Sequence, residues 1–132
     1  MVLDPSHAKA CNDAEGGRIV EVFASFNAVE ATKTLDKFLQ SECADTGKGG
    51  CGPAPANLRV GEMQSAAGSV NDPNGWIDIF VVTQAGKPDP AFDASVPSVN
   101  YVFRLHTNQE HREADLRTFR AVLRTIQLSP AR

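Results

Sequence analysis

One run of eight residues, Trp76-Ile77-Asp78-Ile79-Phe80-Val81-Val82-Thr83, constrains the fold of this chain more than any other segment. β-Branched and aromatic residues dominate it, and these favour extended backbone. It is apolar on both faces, which marks a strand in the middle of a sheet rather than at its edge. Directly before it lies Asn71-Asp72-Pro73-Asn74-Gly75, a run of residues that reverse a chain easily. Asp78 is the exception inside the strand. A carboxylate in that position has to be paired, and Arg104, in the strand expected to lie alongside, is the natural partner.

Other elements follow from periodicity and punctuation. In residues 18–26, Val20, Val22, Ala24 and Phe26 alternate as in a strand, while Ile19, Val22, Phe23 and Phe26 also fit helical spacing. The β-branched and aromatic content favours a strand. Asn27 then reads as a helix N-cap, with Glu30 completing a capping box. Ala28, Ala31, Leu35 and Phe38 form the apolar stripe of that helix, which is expected to end near Ala44, with Gly47 as its stop signal.

Gly52-Pro53-Ala54-Pro55 is an extended connector, and residues 58–66 read as a strand. Residues 84–99 form a long loop containing Pro88, Pro90 and Pro97, and loops of that length often carry function. Residues 100–106 make another strand. Residues 113–128 make an amphipathic helix with Leu116, Phe119, Leu123 and Ile126 on one face, and Pro130 ends it. The expected fold is therefore α+β. It has an antiparallel sheet of about four strands, two main helices packed on one face and the order β-α-β-β-β-α. Residues 1–17 are a polar N-terminal arm, and residues 18–132 are one domain.

The chain carries three cysteines, Cys11, Cys43 and Cys51. The last two flank Ala44-Asp45-Thr46-Gly47-Lys48-Gly49-Gly50, a short flexible loop directly after the predicted helix. Cys43 and Cys51 are the expected disulfide, worth about 2–3 kcal/mol through the entropy of closing so short a loop. Such a bond points to an oxidising compartment, the periplasm or the space outside the cell. No apolar stretch is long enough to span a membrane, and the N-terminus lacks the charged and apolar regions of a signal peptide. Two localisations stay open: an exported mature chain behind an added methionine, or a cytoplasmic protein.

A net charge of -3 argues against nucleic-acid binding, which usually needs a strongly basic field. The residue types of a thiol triad are present in Cys43 or Cys51, His106 and Asp78, but their usual sequence contexts are missing. His7 with Cys11, and His106 with His111, do not match common zinc spacings. The glycines after Thr46 follow a helix and lead to Pro53, whereas a phosphate-cradling loop follows a strand and leads into a helix. No catalytic residue, metal site or cofactor is assigned on these grounds.

Two surfaces remain as candidates for contact with another protein. Arg117, Arg120 and Arg124 recur at helical spacing, with Arg112 one turn earlier, and form a guanidinium stripe that Glu113 and Asp115 partly neutralise. In the long loop, Phe92 sits between Asp89 and Asp93, an aromatic anchor on a proline-stiffened segment. Lys48 in the glycine loop completes the candidate contact set. The expected function is a non-enzymatic protein-binding domain of bacterial origin, of the exported inhibitor or immunity type. A small-ligand-binding or structural domain and a small Cys/His-dependent enzyme are the alternatives.

Overall fold

A computed structural model describes residues 17–25, 30, 32–46, 49–86 and 98–128. Strands β1 (Ile19–Ser25), β2 (Ser65–Asn71), β3 (Trp76–Ala85) and β4 (Val99–Asn108) form one antiparallel sheet, joined by helices α1 (Leu35–Thr46) and α2 (Arg112–Thr125). The element order is β-α-β-β-β-α, and the strands lie side by side as β1-β4-β3-β2. The α+β class, the antiparallel sheet and the order are those expected from the sequence. β3 and β4 pair along their whole length, from Trp76 opposite Asn108 to Ala85 opposite Val99. β3 is central, and its residues from Ile77 to Thr83 are all buried.

The helices do not share a face as expected. Ile77, Ile79 and Val81 of β3 point to one side, where they join Phe103 and Leu105 of β4 and Leu116, Phe119 and Leu123 of α2. Phe80 and Val82 point to the other side, where with Val102 they pack beneath Phe38, Leu39 and Cys43 of α1. The reason is the strand period of two. Successive apolar residues in β3 face opposite ways, so each face needs its own cover, and one layer of helices can supply only one.

Two boundaries also move. The first main helix starts at Leu35, with Thr34 rather than Asn27 at its head. Thr34 Oγ1 accepts the Lys37 amide at 3.3 Å, and the Thr34 carbonyl accepts the Phe38 amide at 2.9 Å. Asn27, Ala28 and Ala31 lie outside the described residues. The strand expected over residues 58–66 lies instead at Ser65–Asn71. Leu58 and Val60 are buried from an irregular segment, as plugs in the core beneath α2.

β2 was hard to read because it is built of small residues. Part of the cause is visible at Gly68, where a Cβ atom would meet Cys51 Cβ and Sγ at 2.9 Å. The disulfide packs directly on this strand, and nothing larger than glycine fits below it. The β2–β3 turn is as expected. The Asp72 amide donates to the Trp76 carbonyl at 2.8 Å, Asp72 Oδ1 accepts the Asn74 amide at 2.6 Å, and Gly75 takes a φ of +92°.

The second helix ends at Thr125, because Ile126 turns to extended backbone at φ -74° and ψ 129°. Its first turn is tied to the sheet: Asp115 accepts the Thr107 hydroxyl at 2.5 Å and pairs with Arg18 at 3.2 Å. Among the described residues no helix is long and apolar enough to cross a membrane.

Candidate functional site

Beyond the apolar half beneath α1, the same sheet face becomes polar. Strand register brings this about: Arg104 of β4 lies between Glu21 of β1 and Phe80 of β3, and His106 lies opposite Asp78. Arg104 Nε donates to Asp78 Oδ1 at 2.8 Å, and its Nη1 donates to Glu21 Oε2 at 3.0 Å. His106 Nδ1 lies 2.8 Å from the same Asp78 oxygen. Trp76, two residues before Asp78 on the same side of β3, stacks on the His106 ring at 4.5 Å with the planes 14° apart.

The Asp78 side chain is only 7% exposed, so its charge needs these partners. Burial opposes the charge on Arg104, but the hydrogen bond and charge of Asp78, aided by Glu21, outweigh it and hold the Arg104 pKa above its ordinary value. The Asp78–Arg104 pairing is the one read from the sequence. Glu21, Trp76 and the neighbouring Phe23 were not singled out there. Phe23 is 40% exposed, the one exposed large apolar side chain among the described residues. These residues come from three strands, and only the register reveals that they share a face.

A cleft of about 630 Å³ opens beside Asp78. Its walls are the end of α1, the loop closed by the disulfide and the β2–β3 turn, with Gly50, Cys51, Ser69 and Asp72 among the lining residues. The Cys43–Cys51 disulfide is formed, with Cα atoms 5.1 Å apart. It holds the loop against β2. Gly52 and Ser69 form an isolated bridge, with amide-to-carbonyl distances of 2.7 and 3.2 Å, and Ser69 Oγ donates to the Pro53 carbonyl at 2.8 Å.

The sequence candidates fare differently. His106 and Asp78 do meet, in the geometry of an imidazole oriented by a carboxylate. Cys43 and Cys51 are bonded to each other, so neither supplies a thiolate to that pair. His111 Nδ1 lies 3.0 Å from Asn108 Oδ1. Among the described residues no group of three or more His, Cys, Asp or Glu side chains is placed to hold a metal ion.

On α2, Arg117 and Arg124 are exposed. Arg120 is drawn inward: one Nη donates to the Ala56 carbonyl at 3.0 Å, and its Nε is buried without a partner. Arg112 pairs with Glu113 at 3.2 Å. Lys48, Asp89, Phe92 and Asp93, along with His7 and Cys11, lie outside the described residues.

No protein-family model matches this chain, and comparison with curated proteins and with solved structures finds no significant match.

Proposed function

We propose that this chain is a non-enzymatic binding domain that docks on another protein, of the inhibitor or immunity type, in an oxidising compartment such as the periplasm or the extracellular space. The observation that carries the reading is the open half of the α1-side sheet face. There exposed Phe23 stands next to the part-exposed Glu21 on β1, and the face continues through Arg104 and His106 to Trp76 at its far end. An apolar anchor with paired charges on one flank suits a protein contact: the aromatic supplies affinity, and the charges supply register and encounter rate. The disulfide supports the compartment, because such bonds persist where thiols are not kept reduced.

The test is affinity capture from the native source, with wild-type protein and Phe23→Glu in parallel. The reading expects one stoichiometric partner on the wild type and at least a tenfold loss of affinity in the variant, with an unchanged melting temperature. A partner held equally by both proteins removes the sheet face from the interface. Capture of nothing at low salt by wild-type protein removes the reading itself.

A further inference from the structure

We propose that the cleft beside Asp78 takes an organic cation, a primary ammonium or guanidinium group, presented as a Lys or Arg side chain of the partner protein. This rests on the binding reading above and gives the partner a chemistry. The central observation concerns the two oxygens of Asp78. Oδ1 accepts from both Arg104 Nε and His106 Nδ1. Oδ2 accepts from neither. Among the described residues the side-chain polar atom sealed from solvent without a partner is Arg120 Nε, so Oδ2 is not sealed off, and the open space that Asp78 lines is this cleft. A carboxylate that is otherwise almost wholly buried thus offers one acceptor oxygen to an incoming donor.

Among the described residues, the acidic groups around that oxygen outnumber the one guanidinium. Arg104 does not make the site positive, because Asp78 and Glu21 share it. Helix α1 ends at the cleft, at Thr46, and no basic residue stands in its last turn. Within the helix itself nothing offsets the negative end of its backbone dipole. Asp72 stands on the rim, and no Lys or Arg is among the described residues lining the cleft. Glu42, one turn back on α1, has acidic neighbours of its own. Its pKa is raised by burial first and then by Asp45 and Glu30, against a smaller opposing effect of Lys33.

Shape narrows the cation to an organic one. Among the described residues no cluster of metal ligands stands here, which leaves a bare metal ion poorly held. The glycine-rich wall at Gly49, Gly50 and Gly52 leaves room for an alkyl stem lying against backbone. A volume of about 630 Å³ is within the usual range of ligand sites. The disulfide and the Gly52–Ser69 bridge set the wall in advance, so little order has to be created on binding.

The experiment is a two-dimensional amide NMR titration of the full chain, with Trp76 fluorescence as a second reporter. The probes are n-butylammonium and n-butylguanidinium, with butyrate and n-butanol as controls and an N-acetylated, C-amidated Gly-Lys-Gly peptide as the side-chain mimic. The cations and the peptide are expected to shift the Gly50, Gly52 and Ser69 amides saturably, while the controls leave them in place. Asp78→Asn should abolish the shifts. Asn71→Lys, which adds a positive charge at the rim and leaves the bonds of Asp78 intact, should weaken them at least fivefold. Peptide binding at least as tight as butylammonium supports a partner side chain, whereas butylammonium binding with the peptide excluded overturns it.

Equal shifts with butyrate, no shifts with either cation, or wild-type affinity in Asn71→Lys would overturn the cleft as a cation site. Partner affinity measured in Asn71→Lys and in Phe23→Glu separates the two readings. A partner lost in Phe23→Glu and fully retained in Asn71→Lys sinks the cleft and leaves the sheet-face interface standing.

Discussion

The two faces of the sheet are built on different terms. Beneath α2 the surface is mostly apolar: Ile77, Ile79, Val81, Phe103 and Leu105 meet Leu116, Phe119 and Leu123, Leu58 and Val60 fill the remaining space, and the polar Thr107–Asp115–Arg18 contact stands at one end. Beneath α1 only half the face is apolar, and the other half carries the Glu21–Arg104–Asp78–His106 network with Trp76 stacked at its end. The first face has the form of a folding core. The second gives up part of its apolar area to charges that must be held in register. Buried charge pairs seldom add stability over apolar residues of the same volume, so such a network points to a task other than holding the fold together.

The largest expected effect is on the first face. Phe119→Ala should cost about 4 kcal/mol, read as a lowered denaturation midpoint at constant slope, because Phe119 is fully buried and its neighbours on α2 cannot close the gap. A cost below about 1 kcal/mol would mean that this face is not the main core.

Arg104→Met sharpens the contrast from the other side. It should cost about 3 kcal/mol, because Asp78 loses its closest cation while still buried. Adding Asp78→Leu should then restore most of that loss. If the double variant stays as unstable as the single one, the network exists for stability and the two faces do the same job.

The disulfide comes next. Cys43→Ser with Cys51→Ser should cost about 2.5 kcal/mol, the loop-closure value for so short a ring. Denatured, unreduced wild-type protein should show one titratable thiol out of three cysteines. Three thiols on freshly isolated protein would break the link between the second face and an oxidising compartment.

The smallest effect is at Glu42. Its pKa is raised in the folded state, so the native protein holds this proton more tightly than the unfolded chain does. Stability therefore falls as pH rises through the carboxylate range, and the penalty is complete above the folded pKa. Glu42→Gln should raise the melting temperature slightly at pH 7 and leave it unchanged at pH 3. A gain of equal size at both values would place its cause in packing rather than charge.

Much of the fold is legible in local pattern. Residues 76–83 announce a central strand, Asn71 to Gly75 announce the reversal before it, and Leu116, Phe119 and Leu123 announce the buried stripe of α2. The error over helix placement was avoidable, because an apolar run on both faces of β3 already called for cover on both. The β2 strand is not legible, since its small residues carry no hydrophobic period, and at Gly68 the disulfide leaves room for nothing larger. Of the candidate site the sequence shows Asp78 paired with Arg104, and it names His106 beside Asp78 only as a residue type of a thiol triad. Glu21 and His106 join it through registers spanning 83 and 28 residues of chain, and local periodicity does not encode such distances.

By itself the sequence determined the class of the fold, its order of elements, the Cys43–Cys51 bond and the need for a partner to Asp78. Each of these follows from short-range chemistry: side-chain period, turn residues, the closeness of two thiols and the cost of burying a charge. Only the tertiary structure decided which helix covers which face, where β2 begins, and that Asp78 lines a cleft between the disulfide loop and the β2–β3 turn. Those outcomes depend on how strands align and on which volumes remain after packing, and both are settled by contacts between residues far apart in the chain.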